Sequence, residues 1–152
     1  MCTVIITSSE KGFETPGEWS IPHNRHWFDM NTENSIILMG YNTYFALNKT
    51  PFPNRVNVIL WNGPYMRTDS NVYFVPNFQS MLDNLEPKPI FVIGGAQTIA
   101  SLSPYITRWI VTQVYGHGGA KRPELDLDNV WESPEWIHGS RRYRFGIYRK
   151  CV

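Results

Sequence analysis

The chain alternates short apolar segments of strand length with segments of helix length. The apolar runs are rich in Val, Ile and aromatic residues, a composition typical of β-strands. Their continuous apolar character indicates strands covered on both faces, as in a mostly parallel sheet, so we expect an α/β sandwich with helices packed on a central sheet. The predicted strands are residues 4–6, 35–39, 56–60, 72–75, 89–93, 109–114 and 143–148, and the predicted helices are residues 23–31, 42–47, 78–85 and 96–102.

The size and charge of the chain narrow the classes of partner. At 152 residues it has the length of one domain, so we expect a single domain over residues 1–152. It carries 14 basic and 13 acidic residues with no block of like charge, which argues against a surface for nucleic acid or an anionic membrane. We therefore expect a small-molecule partner, no nucleic acid and no membrane.

The cysteines and the N-terminal segment bear on the compartment. Cys2 and Cys151 lie at opposite ends of the chain, and no charged segment followed by a long apolar run opens it. A reducing, cytoplasmic location is the expectation. No metal site is predicted.

The segment FVIGGAQTI, residues 91–99, carries the strongest sign of a ligand site. A predicted strand runs into Gly94 and Gly95, and a predicted helix begins directly after them. Backbone N–H groups at a helix start favour a phosphate, and glycine lets the backbone approach it because there is no Cβ in the way. A tight turn with no ligand would give the same pattern, so this signal alone leaves both interpretations open.

Three further motifs precede that segment in a fixed order. The first is Trp-x-x-Pro-x-Asn-x-x-x-Phe at Trp19, Pro22, Asn24 and Phe28. It is followed by ILMGYNTY at residues 37–44 and by PFPNRVNVIL at residues 51–60. With the glycine pair, this order resembles the dihydrofolate reductase family. The resemblance spans about residues 1–114 and continues more loosely to the C-terminal strand. Riboflavin-pathway reductases share the Met-Gly-x-x-Thr and Gly-Gly patterns, but the Trp-x-x-Pro spacing favours the folate enzymes.

The resemblance implies a three-layer fold and a reaction. The fold is a twisted, mostly parallel sheet of eight strands flanked by four helices. The reaction is the reduction of dihydrofolate by NADPH in a monomer, with NADPH against the Gly-Gly turn and the pterin beside the helix after Pro22. Position by position, the resemblance implies catalytic roles for Trp19, Asn24 and Thr112. It implies substrate contacts for Ile5, Phe28, Phe52, Arg55 and Ile93. It implies cofactor contacts for Tyr41, Thr43, Asn62, Gly94, Gly95, Ala96 and Gln97.

Several positions depart from the family pattern. Tyr41 and Gln97 stand where the family commonly has basic residues, and Asn62 follows a strand that usually ends in a serine pair. Three positions facing the adenosine 2′-phosphate have thus lost a charge or a small hydroxyl, so NADH is kept as an alternative cofactor. The segment at residues 10–18 is also two or three residues shorter than the usual lid.

Asn24 is the departure with the largest chemical consequence. The family has Asp or Glu there, a carboxylate that accepts from the pterin ring N–H and amino group and favours protonation of the reduced nitrogen. An amide supplies no charge, and its NH₂ faces a partner that is itself a donor. Glu18, in the short lid segment, is the other acid considered for proton delivery.

Three functional interpretations follow. The first is an unusual dihydrofolate reductase, favoured because Phe28, Arg55 and Thr112 persist. The second is a reductase of another heterocycle on the same fold, in which an amide suits a different donor pattern. The third is a ligand-binding or structural relative that has lost catalysis.

Overall fold

A computed structural model describes residues 2–9, 12–14, 22–114, 135–137 and 143–150. In these ranges the chain forms β1 (Cys2–Ser9), β2 (Gly12–Glu14), α1 (Pro22–Thr32), β3 (Ile36–Gly40), α2 (Tyr41–Ala46), β4 (Val56–Leu60), β5 (Met66–Asp69), β6 (Val72–Val75), α3 (Phe78–Asn84), β7 (Ile90–Gly94), α4 (Ala96–Ser101), a 3₁₀ turn (Ser103–Tyr105), β8 (Ile106–Val114), β9 (Glu135–Ile137) and β10 (Tyr143–Arg149).

One sheet joins all the described strands. Its order is β5-β6-β4-β3-β7-β1-β8-β10-β9, and β2 pairs with the end of β1. The six strands from β6 to β8 run parallel, while β5, β10, β9 and β2 pair antiparallel at the margins. The predicted α/β fold with a mostly parallel sheet is therefore confirmed.

The sheet has more strands than the eight that the resemblance implied. Ten are present in the described part, because three short strands join the seven that the apolar runs predicted. β2 and β9 have three residues each, and every residue of β5 is exposed. Short strands at a sheet margin bury little surface and so carry no apolar run.

The core lies on both faces of the sheet, which explains the continuous apolar runs. Val4 and Ile6 of β1 pack with residues of α3 and α4 on one face. Ile5, between them in sequence, packs on the other face with Phe28 of α1 and Tyr44 of α2. Because successive strand residues alternate faces, both sides of β1 must be apolar. The helices therefore form two layers around the sheet, which is the predicted three-layer arrangement.

Candidate functional site

The larger of two surface cavities relevant to the predicted site lies at the carboxyl ends of the parallel strands. It has a volume of about 650 Å³ and lies between the first turns of α2 and α4. We call it the glycine cleft; it is lined by Gly40, Tyr41, Asn42, Thr43, Leu60, Trp61, Asn62, Pro76, Gly95, Ala96, Gln97 and Thr98. Carboxyl-end crevices of open α/β sheets are the usual ligand sites of such folds.

Two helices start at the glycine cleft without a side-chain cap. Gly40 is the N-cap of α2 and Gly95 is the N-cap of α4, and neither start has a side-chain hydrogen bond among the described residues. The third comparable helix differs, because the Asn77 side chain accepts from Ser80 N at 2.8 Å at the start of α3. The first-turn N–H groups at the cleft are thus left for another acceptor.

The two glycines and two threonines of the cleft form a reciprocal arrangement. A Cβ added at Gly95 would lie 3.6 Å from Thr43 Oγ1, which is ordinary van der Waals contact. A Cβ added at Gly40 would instead collide with Thr98 Oγ1. Each threonine is the third residue of its helix and faces the N-cap glycine of the other helix. The absence of a side chain at Gly40 therefore permits the close approach of Thr98 to the start of α2.

Gly94 ends β7 immediately before the cleft. Its φ of 139° lies in a region that side-chain-bearing residues rarely adopt, which explains why this position is glycine. The peptide bond between Gly94 and Gly95 is cis. Gly94 is buried and directly precedes Gly95, which lines the cleft.

The lining of the glycine cleft mixes polar and apolar groups and carries no charged side chain. None of its twelve lining residues, all within the described ranges, is Asp, Glu, Lys or Arg. Aromatic rings stand at its edge: Tyr41 is exposed, while Trp61 packs edge-on against Phe74 at 5.1 Å and donates from Nε1 to Pro64 O at 3.0 Å. The side chains offered to a ligand here are amides, hydroxyls and rings.

The predicted apolar substrate residues come together on one face of the sheet. Ile5, Phe28, Phe52 and Ile93 belong to the same buried cluster, and each is at most 6% exposed. The rings of Phe28 and Phe52 lie 5.2 Å apart with a tilt of 50°. These side chains are core residues of the fold as well as candidate ligand contacts.

The second cavity, which we call the arginine pocket, lies between α1 and the loop before β4. It has a volume of about 540 Å³ and is lined by Arg25, His26, Asp29, Met30, Glu33, Asn34, Pro53, Asn54 and Arg55. The Arg55 side chain is 9% exposed and forms a 3.5 Å ion pair with Asp29. In contrast to the glycine cleft, this pocket presents side chains of both charges.

The loop that carries Arg55 is held by a buried amide. Asn57 of β4 has no solvent exposure, accepts from Phe52 N at 2.9 Å and donates to Phe52 O at 3.0 Å. It also donates to Arg55 O at 3.3 Å. A buried amide with satisfied partners fixes its loop strongly, so Asn57 orients both Phe52 and Arg55.

The predicted catalytic residues are described to different extents. Trp19 lies outside the described residues. Asn24 is the third residue of α1, with its side chain outside the described part of the chain. Thr112 is 2% exposed on β8, where it pairs with Thr7 of β1 and Phe145 of β10. The Trp27 ring of α1 stacks on Phe145 at 4.5 Å, so α1 reaches the strands beside Thr112.

Burial shifts the acidity of two groups near the sheet. It raises the pKa of Tyr44, on α2, and the charge of Asp69 adds to that rise. Burial also raises the pKa of the Cys2 thiol to about 11, partly offset by the N-terminal charge. Among the described residues, no cluster of His, Cys, Asp and Glu is arranged to hold a metal, and no helix is long and apolar enough to cross a membrane.

The structure adds cleft residues that the sequence analysis did not select. Six of the seven predicted cofactor residues line the glycine cleft, and Gly94 adjoins it. The six lining residues that were missed are Gly40 and Asn42 at the start of α2, Leu60 and Trp61 at the end of β4, Pro76 after β6, and Thr98 of α4. In the sheet β4 lies next to β3 and β6 lies next to β4, which brings Leu60, Trp61 and Pro76 to the cleft, and that order was not evident from single apolar runs.

Together, the fold and the two cavities define a three-layer α/β protein with a ligand cleft at the strand ends. The family model described as dihydrofolate reductase matches residues 3–144 of the chain. The chain therefore belongs to the dihydrofolate reductase family.

Individual relatives agree with that assignment. The chain is 30% identical to the dihydrofolate reductase of Bacillus subtilis (strain 168) over 144 residues, covering 87% of this chain and 82% of the relative. It is also 30% identical to the dihydrofolate reductase of Mycobacterium tuberculosis (strain ATCC 25618 / H37Rv) over 138 residues, covering 86% and 83%. In fold it is similar to the dihydrofolate reductase from Enterococcus faecalis complexed with NADP(H) and RAB-propyl, with a TM-score of 0.77, 20% identity, and coverage of 99% of this chain and 96% of that chain.

Proposed function

We propose that this chain is an enzyme that reduces dihydrofolate to tetrahydrofolate with NADPH, or with NADH in its place. Membership of the dihydrofolate reductase family supports the reaction class. The single observation that carries the proposal is the composition of the glycine cleft, which holds six of the seven residues that the sequence predicted for the cofactor. Those residues come from segments as distant as residues 41 and 97, so their convergence is a property of the fold.

The glycine cleft fits a dinucleotide in its chemistry. Two helix starts without side-chain caps, within the described residues, offer backbone N–H groups to a pyrophosphate. Gly95 leaves open the space in front of Thr43 that a side chain would fill. In this proposal Thr43, Gly95 and Ala96 hold the pyrophosphate, while Tyr41, Asn62 and Gln97 contact the adenosine part. The bound dinucleotide would supply the hydride.

The substrate half of the proposal relies on α1 and the loop before β4. Arg55 would bind a carboxylate of the substrate tail, because a guanidinium suits carboxylate geometry. Ile5, Phe28, Phe52 and Ile93 would exclude water from the rings. Thr112 would hold the pterin amino group, with Trp19 beside the pterin.

Asn24 would accept one hydrogen bond from the substrate but could not stabilise a protonated pterin. An amide oxygen accepts, whereas the amide NH₂ would face another donor. The proton for the reduced nitrogen would then come from solvent or from Glu18. The proposed enzyme is therefore slow at neutral pH and faster in acid.

The proposal is tested by following the 340 nm absorbance of NADPH with the purified chain and dihydrofolate. We expect consumption that saturates with both compounds and stops when dihydrofolate is omitted. Saturable nucleotide binding with no turnover, at pH 5 as well as pH 7, would contradict the proposal and favour a non-catalytic relative.

A second candidate is a reductase of another heterocycle. One sequence observation favours it: an amide at position 24 suits a ring whose donor pattern differs from that of a pterin. Turnover with such a ring and none with dihydrofolate would select it. For either reaction we propose that residues 1–152 act as one domain, which the continuous sheet joining β1 to β10 supports. We also propose that the chain acts as a cytoplasmic monomer.

A further inference from the structure

The arginine pocket contains a carboxylate of its own, placed between two guanidinium groups. Arg25 Nε donates to both oxygens of Asp29, at 3.2 and 3.3 Å. Arg55 Nη2 lies 3.5 Å from Asp29 Oδ1, which also accepts from Arg25. The Asp29 and Arg25 side chains are 43% and 52% exposed, whereas Arg55 is 9% exposed. The Asp29 carboxylate is thus shared by the guanidinium groups of Arg25 and Arg55.

Each guanidinium nitrogen of Arg55 already donates to the protein. Nε donates to Thr32 Oγ1 at 3.3 Å, and Nη1 donates to Pro53 O at 2.8 Å. Nη2 donates to the backbone O of Asp29 at 3.0 Å, in addition to the longer contact with its carboxylate. A carboxylate binds a guanidinium best through two parallel N–H groups. An incoming carboxylate therefore has to share Nη2 with Asp29.

Arg25 is the second base that a ligand carboxylate would reach. Its guanidinium carbon lies 5.8 Å from the centre of the Phe52 ring, so Arg25 borders the predicted substrate residues as well as the pocket. Its pairing with Asp29 offsets its charge at this position. Without the Asp29 charge, two guanidinium groups would face the same ligand.

We propose that Asp29 is a specificity-determining residue that competes with the carboxylate of a substrate tail for Arg25 and Arg55. The inference rests on the proposed function, because it assumes that the substrate tail enters the arginine pocket. Asp29 lowers the affinity for substrates with an anionic tail and leaves the affinity for tailless pterins nearly unchanged. Because the ion pairs are partly exposed, the competition weakens at high salt.

The test compares two probes, dihydrofolate and the tailless 6-methyl-7,8-dihydropterin, by their dissociation constants from tryptophan fluorescence. Asp29→Asn keeps the shape and removes the charge. It should strengthen dihydrofolate binding relative to the tailless probe by on the order of two- to fivefold at low salt, the range for an exposed ion pair. Arg25→Gln should weaken dihydrofolate binding relative to the tailless probe, because one base is removed and Asp29 then pairs with Arg55 alone.

Asp83→Asn is the matched control. Asp83 lies on the exposed face of α3 and accepts from Gln79 at 2.8 Å, four residues earlier, as Asp29 accepts from Arg25. This control variant should leave the affinity for dihydrofolate relative to the tailless probe unchanged. A preference for dihydrofolate over the tailless probe that is unchanged or weaker in Asp29→Asn, with both probes still bound, would overturn the inference while leaving the proposed function intact. Failure of both probes to bind the wild-type chain would overturn the proposed function and this inference with it.

Discussion

The glycine cleft and the arginine pocket differ in the groups with which each would bind the negatively charged group proposed for it. The cleft has two helix starts and no charged residue in its described lining. The pocket has two arginines, each already paired with Asp29. The cleft therefore depends on backbone position and on the absence of side chains, whereas the pocket depends on the balance of charges.

The two sites should therefore respond to different kinds of substitution. A single Cβ alters the cleft, because its recognition groups are backbone atoms held at a fixed spacing. A single charge alters the pocket, because its groups are flexible side chains that exchange partners. Steric variants should thus be informative in the cleft and charge variants in the pocket.

Among substitutions in the glycine cleft, Gly40→Ala should have the largest effect on the stability of the fold. The added Cβ meets Thr98 Oγ1, so α4 must shift or Thr98 must change rotamer. We expect a loss of about 1–3 kcal/mol in the free energy of unfolding, as for overpacking, measured by urea denaturation.

Thr98→Ala provides the control for that variant. It removes the colliding hydroxyl and leaves Thr98 Cβ 3.6 Å from the new atom, an ordinary contact. The double variant should recover most of the lost stability. A Gly40→Ala chain as stable as the wild type would show that the spacing of the helix starts is not fixed by this pair.

Asn24→Asp tests the effect of a single added charge. It lies on α1, the helix that also carries Arg25 and Asp29. If the substrate is a pterin, the restored carboxylate favours the protonated ring, so turnover of dihydrofolate at pH 7 should rise by at least about tenfold, equal to ~1.4 kcal/mol of barrier. The rate of the wild-type chain should rise as the pH falls, and the variant should lose much of that dependence. Steady-state rates from pH 5 to pH 8 measure both effects.

Diaminopyrimidine inhibitors distinguish the reasons for a negative result. These compounds bind as cations, so Asn24→Asp should tighten them by about 2–4 kcal/mol, the range for restoring a partner to a buried charge. Tighter inhibition with no gain in rate would assign the proton to another group such as Glu18. Neither effect in a folded variant would mean that folate is not the substrate.

Tyr41→Arg should have the smallest effect of the three, and it introduces charge into the uncharged cleft. The wild-type chain should discriminate only modestly between NADPH and NADH, because the described lining offers no guanidinium for the 2′-phosphate. The variant should favour NADPH by roughly fivefold, consistent with one partly exposed ionic contact. Titration with each nucleotide gives the ratio, and a strong NADPH preference in the wild-type chain, unaffected by the variant, would point to another base such as Lys49 or Lys121.

The sequence predicted the fold well because most of its elements are buried. Each predicted helix agrees with the structure to within one residue at each end, and the strands β4 and β6 agree fully. Continuous apolar runs and glycine or proline boundaries make such elements readable. β5 has the sequence MRTD with every residue exposed, so nothing in its composition marked it as a strand.

Residues of the two cavities could be predicted only where a short stretch of sequence indicates the site by itself. Gly94 and Gly95 were selected because a strand, a glycine pair and a helix follow one another in the chain. The pairing of Arg55 with Asp29 joins residues 26 positions apart, and the collision partner of Gly40 lies on another helix. Such relations arise from strand order and packing, which the sequence did not reveal.

Nucleotide titration of Gly95→Ala against the wild-type chain tests the claim that the glycine cleft binds a dinucleotide through its backbone. Gly95 has φ −84° and ψ −165°, and the added Cβ would make only ordinary contact with Thr43, so the variant should unfold at the same urea concentration as the wild type. The methyl group would nevertheless occupy the space proposed for the pyrophosphate. We predict at least about a tenfold loss of NADPH and NADH affinity, or ~1.4 kcal/mol, with stability unchanged. Unchanged affinity for both nucleotides in the folded variant would contradict the claim.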